Sequence, residues 1–237
     1  MQSNFKNVLV LGSSGQIGLP LCETLIRSGY SVTRFDIEES DSHDLRQHNN
    51  SILVQAVQES DFVFFLAFDV GGSTYLKTYQ NSFEFIQNNL KIISNTFEVI
   101  VRYKKPFVYA SSQMANMSFS TYGMLKSIGE KITQTQNGRT VHFWNVYGLE
   151  TNPSKFHVIS DFIDMALRTK SINMKTDGQE LRDFLYVDDC SKALIAVMEN
   201  FEHSNRSALL HVTSGHFTRI IDVAELIGAK QIGRAHV

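Results

Sequence analysis

Two cysteines, Cys22 and Cys190, are all that the 237 residues contain, too few and too far apart for a disulfide framework or a thiolate metal site, so both read as free thiols. Only three prolines occur and no low-complexity tract interrupts the chain, which leaves no room for a linker; no internal repeat is present either. A basic block is missing: 22 Lys and Arg stand against 24 Asp and Glu, without the electrostatic footprint that nucleic acid requires. The longest apolar run, residues 62–68, falls far short of the roughly 20 residues that cross a bilayer, and the first ten residues carry no small-residue cleavage site. These absences predict a cytoplasmic protein that binds neither nucleic acid nor membrane. The eight histidines form no i, i+4 pair and no Cys/His cluster, so no metal is expected.

What is present is a core. Apolar side chains make up 43% and charged ones 19%, the balance of a globular chain of one or two domains. Residues 7–11 form a short apolar run ending at Gly12, as a strand buried on both faces should, and residues 19–28 read as a helix capped by Gly29. Further strands are expected at 30–36, 61–68, 106–110 and 139–145, each separated by a helix-length segment. Strands alternating with helices predict an α/β protein with a doubly wound parallel sheet.

Between residues 79 and 103, Phe83, Ile86, Leu90, Ile93, Phe97 and Ile100 recur at spacings of three and four, one continuous helical face. Phe85, Ile92 and Val99 add a second stripe about 100° away, wider than a helix covering one sheet needs. Either the helix is deeply buried or the second stripe meets another copy. The expectation carried forward is a homodimer packed through Phe85, Ile92 and Val99 and the helix that carries Tyr122.

Gly12, Gly15 and Gly18 lie between the first strand and the first helix in Gly-Ser-Ser-Gly-Gln-Ile-Gly. Glycine there lets the chain turn tightly and lets backbone N–H groups approach a pyrophosphate held by the positive end of the helix. The alternative is a tight turn with no ligand. Asp36, at the tip of the second strand, is placed to take both hydroxyls of an adenosine ribose and would repel a 2′-phosphate, which predicts NAD over NADP. Tyr122 and Lys126 form Tyr-x-x-x-Lys, a weak motif by itself, although four residues on a helix put both side chains on one face. An ammonium there would lower the phenol toward the range where it accepts a proton. Ser112 closes the strand Val-Tyr-Ala-Ser-Ser, where a hydroxyl faces the ligand crevice or merely caps the next turn.

Taken in order, residues 12–18, Asp36, 61–67, 108–112, Tyr122 with Lys126, 143–148 (Phe-Trp-Asn-Val-Tyr-Gly) and 178–189 resemble the extended short-chain dehydrogenase/reductases, the NAD-dependent nucleotide-sugar epimerases and dehydratases. The resemblance runs from about residue 6 to 228. It implies a Rossmann-like fold, and NAD lined by Gln16, Ile17, Asp36, Asp44, Leu45, Leu66, Ala67 and Asn89 beside the three glycines. It further implies that Ser112, Tyr122 and Lys126 are catalytic, and that Asn145 and Arg182 meet the sugar nucleotide, the guanidinium pairing two diphosphate oxygens at once.

Three departures from the pattern narrow the chemistry. Dehydratases of this kind place Asp-Glu directly after the catalytic hydroxyl; here Gln113 and Met114 stand there, and no acid is present to protonate a leaving hydroxyl. Met114 also occupies the cysteine position of the resembling 3,5-epimerases, although Gly71-Gly72 is similar to theirs. Only nine residues separate Ser112 from Tyr122, fewer than the resembling enzymes carry.

The expected organisation is an NAD-binding portion over 1–150, rejoined by about 186–213, with a small, truncated substrate-binding portion from 151–185 and 214–231. Residues 232–237 are what a sequencing adapter would encode and are set aside from fold reasoning. The expected activity is that of a nucleotide-sugar epimerase. A sugar-nucleotide dehydrogenase or reductase of the same kind, and a non-catalytic NAD-binding protein, are the alternatives.

Overall fold

The run expected as the first strand is apolar from Val8 to Leu11 because both faces are covered there. The computed structural model describes residues 5–204 and 209–231, so the adapter-like residues 232–237 lie outside the described residues. Its strands are β1 (Asn7–Leu11), β2 (Ser31–Phe35), β3 (Phe62–Phe65), β4 (Phe107–Ser112), β5 (Gly138–Phe143), β6 (Asn145–Tyr147), β7 (Leu181–Tyr186), β8 (Leu210–Val212) and β9 (Phe217–Arg219). Six of them form a sheet in the order β2-β1-β3-β4-β5-β8, every pairing parallel. Alternate side chains go to opposite faces: Val8, Val10, Phe62 and Phe64 enter one core, and Leu9, Leu11, Val63 and Phe65 the other.

The helices are α1 (Gly18–Arg27), α2 (Ser51–Glu59), α3 (Ser73–Tyr79), α4 (Phe83–Arg102), α5 (Thr121–Thr135), α6 (Val158–Thr169), α7 (Val187–Glu199) and α8 (Ile220–Gln231). α1 and α7 supply Leu21, Leu25, Leu194 and Met198 to the first core, and α2, α4 and α5 supply Leu53, Ile93, Phe97 and Leu125 to the second. At roughly 1.5–3 kcal/mol for each large apolar side chain removed from water, these two layers hold the sheet. A doubly wound α/β fold is what the structure shows. α6 and α8 bury a third, smaller cluster around Phe162, Ala166 and Ala224. β6, β7 and β9 make a separate sheet, β7 and β9 antiparallel.

Two expectations are corrected. The apolar run 139–145 is not one strand: β5 ends at Phe143 and β6, from Asn145, joins the second sheet, so the chain changes sheets at Trp144. The stripe Phe85, Ile92 and Val99 is core rather than a face for a partner. α4 lies between α2 and α5 as well as on the sheet, so a wide arc of it is covered, and these three side chains are 2%, 9% and 6% exposed. The open side of α4 instead carries Phe83 and Leu90.

Candidate active site

The carboxyl ends of the central strands open into one cleft of about 1170 Å³. Its first wall is the turn after β1. Gly12 has a φ of +88°, and a Cβ there would lie 2.7 Å from the Ala67 nitrogen; a Cβ at Gly18 would lie 2.0 Å from the Gly12 carbonyl. The glycines are therefore fixed by close backbone approach, and the turn is pinned by Gly12 N–H donating to the Phe35 carbonyl at 2.9 Å. The first turn of α1 carries no acidic side chain, and Gln16 lines the cleft with a buried amide nitrogen that no protein group satisfies among the described residues. An orphan donor beside a helix N-terminus in a glycine cradle fits a pyrophosphate.

Asp36 follows β2 on the same wall, its carboxylate accepting from Ser14 N at 3.0 Å and Glu38 N at 3.0 Å. Behind it Glu39 takes the Ser13 and Ser14 hydroxyls and the Arg34 guanidinium, tying the glycine turn to the end of β2. Gly12, Gly15, Gln16, Ile17, Gly18, Asp36, Asp44, Leu45, Leu66 and Ala67 all border the cleft. Asp44 is gripped at both oxygens by Arg46, at 2.8 and 3.0 Å; desolvation works against its charge, but the Arg46 contacts outweigh it and hold the carboxyl below its ordinary value. Asn89 is placed elsewhere: fully buried, it accepts from Asp69 N and donates to the Asp69 and Phe85 carbonyls, so it braces the loop after β3 and does not border the cleft. Its neighbour Asn88 does.

The second wall brings Ser112, Tyr122 and Lys126 together. Ser120 caps α5 by accepting from Gly123 N, which starts the helix at Thr121, one residue before Tyr122. The short connection from β4 is accommodated because residue 123 is glycine: a Cβ there would meet the Met114 carbonyl at 2.0 Å, so the turn through Gln113 and Met114 folds directly against α5. Burial pushes the Tyr122 phenol up to about 12, and a hydrogen bond from Ser112 works the other way. Lys126 is not yet the phenol's partner. Its ammonium donates to the Ala110 carbonyl at 2.7 Å and sits 3.9 Å from the centre of the Phe68 ring, against 5.9 Å for the Tyr122 ring. Burial brings that ammonium down to about 7, opposed by the charge of Glu130. The expected lowering of the phenol by Lys126 is thus absent from this arrangement, because a carbonyl and an aromatic face hold the ammonium instead.

Asn145 and Arg182 border the far end of the cleft. Asn145 donates to the Asp183 carbonyl at 3.1 Å, and Arg182 is exposed. Asp183, between them in the fold, is a residue the motif hid: it is 2% exposed and accepts from Ser214 N, Ser214 Oγ and Gly215 N, each at 2.8 Å. A second group missed from sequence is Asp69, which accepts from Tyr75 at 2.7 Å and pairs with Lys155 at 3.2 Å inside the cleft. No spacing in the chain announces a pair 86 residues apart.

A glycine turn that fits a dinucleotide, a Ser-Tyr-Lys cluster and a polar far wall thus meet in one cleft of a doubly wound sheet. The chain belongs to the NAD-dependent epimerase/dehydratase family, whose sequence profile matches residues 8–210; NAD is the cofactor, and the cleft residues described above fit it. Among curated proteins it is 27% identical over 232 residues to the UDP-N-acetyl-alpha-D-glucosaminuronate decarboxylase of Bacillus cytotoxicus, covering 82% of this chain and 71% of that one. Among solved structures it is similar to Bordetella bronchiseptica WbmF in complex with NAD+ and UDP, with a TM-score of 0.81 at 22% identity, covering 100% of this chain and 80% of that one. It is likewise similar to the Thermotoga maritima UDP-glucose 4-epimerase with UDP-glucose, with a TM-score of 0.79 at 20% identity, covering 96% and 83%. The chain spans 71%, 62% and 59% of the length of three curated relatives, the last two being UDP-glucuronic acid decarboxylases.

Proposed function

We propose that this chain carries the hydride-transfer chemistry of a nucleotide-sugar epimerase. The carrying observation is that Ser112, Tyr122 and Lys126 meet at the wall of the cofactor cleft, Tyr122 and Lys126 one helical turn apart on α5. NAD supplies a hydride acceptor. Ser112 orients a ring hydroxyl of the sugar, Tyr122 takes its proton, and Lys126 holds the nicotinamide ribose and, once drawn off Ala110, eases ionisation of the phenol. With NAD bound as hydride carrier, reduction of the ketone on its other face would give the epimer, Tyr122 returning the proton. Gln113 and Met114 after Ser112 support this over water elimination, which needs an acid at that place. Asn145 and Arg182 would hold the diphosphate. Supporting a decarboxylase as the second reading is the named relative, together with Lys155, a cation beside the sugar end: a carboxylate β to the new ketone would leave as CO2 after the same oxidation.

Incubation with NAD and either UDP-glucose or UDP-glucuronate, followed by NMR, separates these readings. We expect a new epimer with no accumulation of NADH; release of CO2 from the uronate would transfer the assignment to the second reading, and binding with neither product would leave only an NAD-binding protein.

A homodimer belongs to the same proposal, on a different surface from the one the sequence suggested. Phe83 and Leu90 on α4 and Met124 and Ile128 on α5 are each more than 40% exposed on two neighbouring helices, and a two-fold axis there would give a four-helix contact. Leu90→Glu combined with Ile128→Glu should run as a monomer in light scattering, whereas Phe85→Glu should unfold the chain. Among the described residues no helix is long and apolar enough to cross a membrane. The two free, buried thiols fit the reducing cytoplasm we assign it.

A further inference from the structure

Behind the Ser-Tyr-Lys cluster lies a second buried polar group that no step above uses. Tyr122, Lys126 and Glu130 follow one another at four-residue intervals on α5, so all three lie on the face turned to the sheet. Glu130 Oε1 accepts from Ser111 Oγ on β4 and meets His142 Nε2 on β5 at 2.5 Å. The sequence alternation of the two strands puts these partners there: Ser112 and Phe143 turn away, while Ser111 and His142 turn under α5. His142 is fully buried, and its Nδ1 has no partner among the described residues. The other titratable groups around the carboxylate are Lys131 on α5, Tyr109 on β4 and, edge-on to His142, His211 on β8.

We propose that Glu130 is a positioning residue for the reaction proposed above: it is the part-buried counter-charge that favours the ammonium form of Lys126 beside Tyr122, and Ser111 and His142 hold it in place. The argument is one of charge in a dry setting. Lys126 is 4% exposed, and among the described residues its only hydrogen-bond acceptor is the neutral Ala110 carbonyl. A buried ammonium without a compensating charge gives up its proton instead. Glu130 is the charged group whose field supports Lys126. The carboxylate is itself stabilised: burial works against its charge, but the hydrogen bonds from His142 and Ser111 outweigh that and hold it below its ordinary value. Without Glu130, Lys126 would give up its proton at lower pH still, and less of its ammonium would stand one helical turn from Tyr122 at neutral pH. A purely structural role, pinning α5 to β4 and β5, would need the hydrogen bonds but not the charge.

Glu130→Gln separates the two roles, because the amide keeps the shape and can still bond Ser111 and His142. The Lys126 side chain is followed by NMR in lysine labelled at Cε, its signal assigned by its loss in Lys126→Met; this needs no substrate, so it stands even if the proposed reaction fails. The Lys126 titration should fall by at least about one pH unit in Glu130→Gln. Turnover at neutral pH should drop about tenfold with KM for the sugar nucleotide little changed, and Glu130→Asp should recover part of it. An unchanged Lys126 titration in folded Glu130→Gln would overturn the proposal. Should Glu130→Gln fail to fold, the double variant with Lys126→Met decides: folding of the double supports a charge pair, and a double that fails while Lys126→Met alone folds assigns Glu130 a packing role instead.

Discussion

The two ends of the cleft are built in opposite ways. The cofactor end is local: the glycine turn, the start of α1 and the tip of β2 lie within residues 12–36, and one βαβ unit sets their geometry. The end proposed for the sugar is assembled from afar, with Asp69 after β3, Lys155 before α6, Asn145 on β6 and Arg182 on β7 meeting only because two sheets and a helical layer are in place. Damage to the first should abolish cofactor binding in a chain that still folds, whereas damage to the second should change selectivity and KM. Tyr122 stands where the two meet and should be the most sensitive position of all.

Tyr122→Phe removes one oxygen and almost no volume, so folding and NAD binding should survive while turnover falls about 10²- to 10⁴-fold in a steady-state assay; retention of more than about a tenth of the activity would move the proton to another group. Next in size is Gly18→Val, which drives a side chain into the Gly12 carbonyl and should weaken NAD by well over tenfold in calorimetric titration while circular dichroism stays native. Asp36→Ala should erase a preference for NAD over NADP of at least about tenfold, about 1.4 kcal/mol, because the carboxylate no longer faces the 2′-phosphate. At the sugar end Lys155→Met should raise KM for the nucleotide sugar several-fold and leave NAD affinity alone; a loss of NAD binding there would break the division between the two ends.

The smallest effect is one of pH on stability. Lys126 titrates near 7 in the fold against an ordinary 10.5, so between those values the unfolded chain binds a proton that the folded chain does not. Stability must therefore rise with pH across that window, the cost of the buried charge being fully present below it. Melting temperatures of Lys126→Met should exceed those of the parent most at or below pH 7, and the gap should close toward about pH 10.

Those differences follow how far each feature reaches along the chain. Val8 to Leu11, the three glycines, the α1 start and Asp36 were legible because strand, turn, helix and acid arrive in order, and their contacts are neighbours in sequence. Tyr122 and Lys126 were legible as a pair because a helix repeats every 3.6 residues. The same periodicity misled at Phe85, Ile92 and Val99: a second apolar stripe is equally compatible with a partner and with a helix wedged between two others, and only the presence of α2 and α5 on either side decides. Asn89 fell on the right helix, one residue from a cleft position, yet points into the Asp69 loop.

The sequence alone determined the alternation of strands and helices, the glycine turn with its acid, and the placing of a hydroxyl, a phenol and a lysine on neighbouring elements, since each depends on local backbone preference and periodicity. Only the tertiary structure decided that Lys126 rests on Ala110 and Phe68 rather than on the phenol, that Asp69 meets Lys155, and that Glu130, Ser111 and His142 form one hydrogen-bonded cluster. Those outcomes depend on which side chains share a dry space, and burial sets both their contacts and their charges.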